Sequence, residues 1–184
     1  MIEFFFDCSS PWTWLAFRNI QPIAREIGVE VQWKPVLVGG IFNAVNPSVY
    51  EFRERGVPAK QAYLRKDLAD WARLAGIRIR FPPTVFPVNS VKAMRGCLLL
   101  EPESLLVPFA EAVFHAYWSD DRDISQDNGI RWKCKTFFKH DQSGRDRDVE
   151  PQDRIEIATR LCYVSLPCNR QYIVLPSYLH NSHS

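Results

Sequence analysis

The chain lacks any apolar run long enough to cross a bilayer as a helix, which excludes a helical membrane span. Its five cysteines form no C-x-x-C pair and no metal-ligand spacing, so neither a zinc module nor a disulfide framework is expected, nor any metal site. An odd set of isolated thiols suits a reducing compartment, and the expected location is cytoplasmic. The N-terminus has no charged segment followed by an apolar one, so a secretory signal is not expected. Excess charge is missing too: 23 basic against 21 acidic side chains leave +2, without the basic footprint of a nucleic-acid binder. Alanine is nearly absent from one region. Residues 1–128 hold twelve, whereas 129–184 hold one, Ala158, so the last third is composed differently from the rest.

What is present suffices for a packed domain. The 184 residues are 46% hydrophobic, which predicts one domain, or one domain carrying a large insertion. Ile2-Glu3-Phe4-Phe5-Phe6 reads as a strand, Asp7 to Ser10 as a turn, and Pro11 to Ile27 as a helix closed by Gly28. Trp12, Leu15, Ala16, Ile20, Ile23, Ala24 and Ile27 recur every three or four residues, which predicts the buried face of that helix. Val29 to Pro35 then alternates as a second strand. Strand, helix and strand make a βαβ unit, the signature of an α/β fold with a parallel pair.

The chemistry concentrates at the first helix start. Pro11 suits the first helical position and Ser10 the cap before it. A hydroxyl there lies beside unpaired backbone N–H groups and the positive end of the helix dipole, a setting that stabilises an anion. Read alone, Ser10 is also a plain helix cap.

A helical block follows. Ala59 to Ala75 predicts a helix with Ala62, Leu64, Leu68, Trp71, Ala72 and Ala75 inward, ended by Gly76. Ile77 to Phe81 reads as extended, and Pro82, Pro83 and Pro87 forbid regular structure after it. Ser90 should cap a helix through Leu100 with Val91, Met94, Cys97 and Leu98 inward. A further helix from about Ser104 to Trp118 should bury Leu106, Phe109, Ala110, Val113, Phe114 and Tyr117. The acidic run Asp120 to Asp123 reads as a solvated loop. These patterns divide the chain into an N-terminal βαβ half (1–38), an inserted helical domain (39–127) and a divergent tail (128–184).

Ser10-Pro11-Trp12-Thr13 resembles the first turn of thioredoxin-fold proteins of the DsbA superfamily, whose redox members carry Cys-Pro-x-Cys. Serine and threonine cannot supply the thiolate that disulfide exchange needs. A serine in this slot resembles the 2-hydroxychromene-2-carboxylate isomerases and kappa-class glutathione transferases instead. Gly39-Gly40, Asn46-Pro47, Lys60 to Leu64, Asp67 to Ile77, Phe81-Pro82 and Val88 to Arg95 follow that family's order, and the likeness runs from Ile2 to about Asp127.

The resemblance implies a thioredoxin-like fold with a large helical insertion, and a glutathione-dependent cis–trans isomerase acting on an aromatic carboxylate. It implies Ser10 as the catalytic hydroxyl. Ser10, Pro11, Trp12, Asn46 and Lys60 would hold glutathione; Asn89, Lys92 and Arg95 would meet the substrate carboxylate. Asn46 is also a turn former before proline, and the cations are also plain surface charge. A homodimer is implied by the family. A kappa-like transferase uses the same hydroxyl, and an inactive or frame-shifted member that only binds is the third class. Beyond Asn128 no Gly-Val-Pro-Thr segment occurs, so the C-terminal part of the sheet is expected to be incomplete and this chain a weak catalyst.

Overall fold

The structure is a computed structural model that describes residues 1–46, 48, 56–101 and 105–126. The tail expected over 128–184 lies outside the described residues, as does Pro47. The elements run β1 (Ile2–Phe6), α1 (Pro11–Glu26), β2 (Val31–Pro35), α2 (Val38–Val45), α3 (Pro58–Leu74), α4 (Val91–Leu100) and α5 (Leu106–Trp118). β1 and β2 pair in parallel, with Ile2 opposite Val31 and Phe6 opposite Pro35. Among the described residues this is a two-stranded sheet. Ile77 to Arg80 runs without regular structure.

Both long helices end as their glycines predict. Gly28 has φ +65° and Gly76 φ +63°, the left-handed conformation that closes a helix. At α1 the Gly28 N–H donates to Arg25 O (3.3 Å) and the Val29 N–H to Ala24 O (2.9 Å). At α3 the Gly76 N–H donates to Arg73 O (3.2 Å) and the Ile77 N–H to Ala72 O (3.0 Å). Each doublet satisfies carbonyls the last turn would leave orphaned.

The core is largely aromatic. Phe17 of α1 lies 4.5 Å from the Trp33 ring of β2 and 5.4 Å from Phe114 of α5, centroid to centroid. Phe6 joins Phe17 at 5.3 Å, and Trp14 stacks parallel to Phe114 at 6.1 Å. Such pairs contribute roughly 0.5–1.5 kcal/mol each beyond the area they bury. They fuse the βαβ unit to the helical block. A polar seam runs along the same junction, where Glu111 Oε1 accepts from Trp14 Nε1 (3.3 Å) and Arg18 Nη1 (2.9 Å).

The aromatic core turns α1 partly away from its expected face, of which Leu15 and Ala24 stay buried. Its buried residues are Pro11, Trp14, Leu15, Phe17 and Ala24, whereas Trp12 and Ala16 are exposed and Ile23 and Ile27 are 54% and 59% exposed. Two apolar stripes occur on this helix, and the one with the larger rings removes more area from water. On α3, Leu68 and Ala72 are buried as expected, but Leu64 and Trp71 face outward. On α4, Met94 and Cys97 point inward while Leu98 does not. The expected stripe of α5 is buried in full, together with Ala116 and Trp118.

The acidic run is not simply a solvated loop. Asp121, at φ 56°, accepts from the Thr84 N–H (2.6 Å) and the Thr84 hydroxyl (2.5 Å) and pairs with Arg80 (3.1 Å). Asp123 turns back on Ser125, accepting from its N–H (2.9 Å) and hydroxyl (2.6 Å). Tyr117 donates to Val85 O (2.8 Å), and the Arg80 N–H to Trp118 O (2.7 Å). The proline-rich segment is thereby fastened to the end of α5.

The Thr84 hydroxyl, then the Thr84 N–H, hold the Asp121 carboxyl below its ordinary value against a smaller opposing effect of burial, and the Arg80 charge adds least. The folded state therefore binds this proton less readily than the unfolded state. The clamp's contribution should be complete above about pH 4, the unfolded value, and should be lost as pH falls through the lower folded value. Asp121→Asn, tolerated at positive φ, should remove that dependence. Thermal melts from pH 7 to pH 2 should show the wild type losing stability more steeply than the variant below about pH 4; parallel curves would exclude the clamp.

Candidate functional site

The turn from β1 into α1 has its backbone groups held from several directions. The Ser10 N–H donates to Asp7 O (3.3 Å) and the Ser9 N–H to Asp7 Oδ1 (2.8 Å). The Cys8 N–H meets Met94 Sδ of α4 at 3.4 Å, and Cys8 O accepts from Trp118 Nε1 of α5 at 3.0 Å. Trp118 in turn lies against Phe81 (6.2 Å) and Phe86 (6.4 Å) of the proline-rich segment. Asp7, Cys8, Met94 and Trp118 are all buried.

Ser10 stands at the outer end of this turn. It is the N-cap of α1, with extended φ −115° and ψ 123°, and its Oγ accepts from the Thr13 N–H at 3.3 Å. Pro11 follows as the first helical residue and has no N–H to donate. The Trp14 N–H bonds Ser10 O (3.2 Å), so the Trp12 N–H is the remaining donor that the helix start leaves without an intrahelical acceptor. With its oxygen accepting from Thr13, the Ser10 hydroxyl keeps its own proton to donate outward. An anion placed there meets a hydroxyl proton, an amide proton and the positive end of a 16-residue helix.

Cys8 takes no part in such chemistry. Burial pushes its thiol well above the ordinary range, with the adjoining Cys97 side chain and the Asp7 charge adding to the rise. It is a core residue two places from the half-buried Ser10. Among the described residues no cluster of His, Cys, Asp and Glu could hold a metal ion.

The remaining expected site residues lie on separate elements. Asn46 is the C-cap of α2 and its Oδ1 accepts from the Ser48 hydroxyl (2.6 Å), a local turn contact. Lys60 stands exposed in the first turn of α3. Asn89 Oδ1 accepts from the Val91 N–H (3.0 Å), so Asn89 makes the side-chain bond at the start of α4 that was expected of Ser90. Ser90 occupies the cap position but is buried in a helical conformation without that bond. Lys92 and Arg95, three apart on α4, are half-buried and share one side of the helix. Met94 ties α4 to the Ser10 turn, which relates these cations to it through one intervening residue contact. His115 pairs with Asp120 (3.3 Å) at the end of α5.

Three residues that build this turn escape sequence reasoning: Asp7, Met94 and Trp118. Met94 is legible only as an inward residue of its helix, Trp118 only as a helix end and Asp7 only as part of a turn; their contacts with one another are not.

A family model described as the DSBA-like thioredoxin domain matches residues 1–135. The chain is 29% identical over 125 residues to a 2-hydroxychromene-2-carboxylate isomerase of Pseudomonas putida, covering 65% of this chain and 57% of that protein. It is 23% identical over 137 residues to glutathione S-transferase kappa 1 of Rattus norvegicus, covering 71% of this chain and 58% of that one. The chain thus spans less than two thirds of the curated relatives it matches. A solved 2-hydroxychromene-2-carboxylate isomerase shares the fold with TM-score 0.61 at 24% identity, over 86% of this chain and 71% of the other.

The anion-stabilising character of the helix start is open to a direct chemical test. In Ser10→Cys the introduced thiol should have a depressed pKa, whereas Cys8 is buried and raised. Alkylation by iodoacetamide at pH 7, mapped by peptide mass spectrometry, should modify position 10 at least about tenfold faster than Cys8. Equal rates would show that position 10 is not at a helix terminus.

Proposed function

The chain belongs to the DSBA-like thioredoxin family, and from that premise we propose that it is a glutathione-dependent cis–trans isomerase of an aromatic carboxylate of the 2-hydroxychromene-2-carboxylate type. The observation that carries the reading is Ser10 at the α1 N-cap, its oxygen accepting from Thr13 and its proton left to donate. A serine there supports thiolate chemistry on a bound thiol and not disulfide exchange by the protein itself. The residues present fit glutathione at its sulfur end. When bound, it would supply a thiolate nucleophile that adds to the conjugated substrate and leaves again.

Ser10 would donate a hydrogen bond to that sulfur, and the Trp12 N–H and the helix dipole would favour its anionic form. An ordinary thiol titrates near about 8.5, so each unit by which these groups lower it corresponds to about 1.4 kcal/mol. Pro11 fixes the entry of the helix and Trp12 presents an exposed ring beside it. Asn46 and Lys60 would hold the peptide of the cofactor, and Asn89, Lys92 and Arg95 the carboxylate of the substrate. A homodimer in a reducing cytoplasm completes the proposal. No helix among the described residues is long and apolar enough to cross a membrane.

The same hydroxyl would serve a kappa-like transferase, in which the sulfur stays on the product. The assay that separates them follows isomerisation of a hydroxychromene carboxylate, and conjugation of a halogenated nitroarene, each with and without glutathione. Isomerisation that requires glutathione without consuming it supports the proposal; conjugation alone replaces it with the transferase; neither activity leaves a non-catalytic member.

Ser10→Ala should lower glutathione-dependent turnover roughly tenfold to a hundredfold, the loss of one hydrogen bond to a charged group of about 1.5–3 kcal/mol. The fold should lose only a helix cap, about 1 kcal/mol. Unchanged turnover in a variant with a cooperative melt would rule out Ser10 as the thiolate donor.

A further inference from the structure

Asp7 is a carboxylate only 1% exposed, at the end of an apolar strand. Burying an ionised group without partners is costly, so its neighbours show what it is for. Oδ1 accepts from the Ser9 N–H at 2.8 Å, inside the turn that ends in Ser10. Oδ2 accepts from the Val38 N–H at 2.9 Å, the first residue of α2. The Asp7 carbonyl accepts from the Ser10 N–H itself. One residue therefore holds two helix starts that are distant in sequence.

α2 makes this placement consequential. Its residues, Val38-Gly39-Gly40-Ile41-Phe42-Asn43-Ala44-Val45, are almost all apolar or glycine, yet none is buried. Leu37, its N-cap, provides no side-chain bond, and the Asp7 carboxylate stands in that role from another element. The chain enters α2 directly after β2, where the Val36 N–H donates to Phe6 O (2.9 Å). Val38 and Phe42 are half-buried, the other apolar side chains of α2 are exposed and none belongs to the core cluster, so polar contacts at its start carry much of its seating beside β1. Asn46 lies at its far end.

We infer that Asp7 is a positioning residue of the reaction: its two carboxylate oxygens make the Ser10 turn and the seating of α2 a single unit, so that the hydroxyl at position 10 and Asn46 are set together. This inference rests on the thiolate role of Ser10 proposed above. Asp7 does not touch the reacting atoms and acts through Ser9, Ser10 and Val38.

The test uses the full chain with Asp7→Ala and the isosteric Asp7→Asn, each in wild-type and Ser10→Ala backgrounds. Asparagine keeps the shape and one acceptor, which preserves a folded variant should alanine not fold. Glutathione-dependent turnover should fall tenfold or more on Asp7 substitution in the wild-type background, and less than twofold when Ser10 is already alanine, because residues acting as one unit are not additive. The KM for glutathione should rise with the fall in kcat, while the KM for the aromatic carboxylate should change less than twofold. Amide hydrogen exchange should show the Ser9 and Val38 N–H groups losing protection together, with α5 unaffected. An equal fold-loss in both backgrounds, or Val38 protection unchanged, would overturn the inference. A wild type without glutathione-dependent turnover removes the functional reading, and the catalytic part of the inference with it. Exchange at Ser9 and Val38 still reads the coupling in that case.

Discussion

A turn that leaves a strand and enters a helix carries backbone amides and carbonyls with no regular partner, and burial keeps water from satisfying them. Here that constraint governs the arrangement of the surrounding elements. Cys8 O takes its bond from Trp118, the Cys8 N–H meets Met94, and the Ser9 N–H is bound by Asp7. The helices α4 and α5 are placed where they can supply these groups. An unpaired buried donor or acceptor costs about 1–3 kcal/mol. The turn is thereby held from beneath, and Ser10, half-buried at its outer end, keeps a hydroxyl proton to give.

Aromatic packing supplies the rigid base for this turn. Trp33, Phe17, Phe114 and Trp14 form a continuous series of rings from β2 through α1 to α5. Two parallel strands would be marginal by themselves. The inward alternation of β1, with Phe4 and Phe6 toward the core and Phe5 outward, joins the pair to this series on one face. Trp118 serves both purposes, stacking on the proline-rich segment and donating to the turn. Its position makes the segment from Ile77 to Ser90 part of the site's support, and the clamp of Asp121 on Thr84 holds that segment in turn.

The thioredoxin-like fold and the chemistry separate at one atom. In a disulfide-exchange protein the helix-start position supplies a sulfur; here it supplies a hydroxyl, while Cys8 is buried and its thiol raised. The same dipole and the one orphan amide, Trp12 N–H, that would lower a cysteine pKa would also favour an external thiolate placed there. Family membership extends over residues 1–135, and within it Ser10, Pro11 and Trp12 share one turn, while Asn46, Lys60, Asn89, Lys92 and Arg95 reach that turn only through other elements. The hydrogen bond from the Val38 N–H to Asp7 connects the start of α2, which carries Asn46 at its far end, to the turn that ends in Ser10.

Local chemistry was legible in the residues. Gly28 and Gly76 end helices because only the left-handed conformation lets the last carbonyls be satisfied, and that preference is written in one residue. Ser10 and Pro11 start α1 for the same kind of reason, and the apolar period of α5 identifies its buried face. Tertiary structure decided what no short window contains. α1 has two apolar stripes, and the one carrying Trp14 and Phe17 was buried because Trp33 and Phe114 come to meet it. Asp7 reads as part of a turn until Val38, 31 residues on, donates to it, and Trp118 as the end of a helix until Cys8, 110 residues away, accepts from it. Backbone propensity and capping act within a turn or two of chain. Burial and polar satisfaction are settled only when distant segments compete for the same interior.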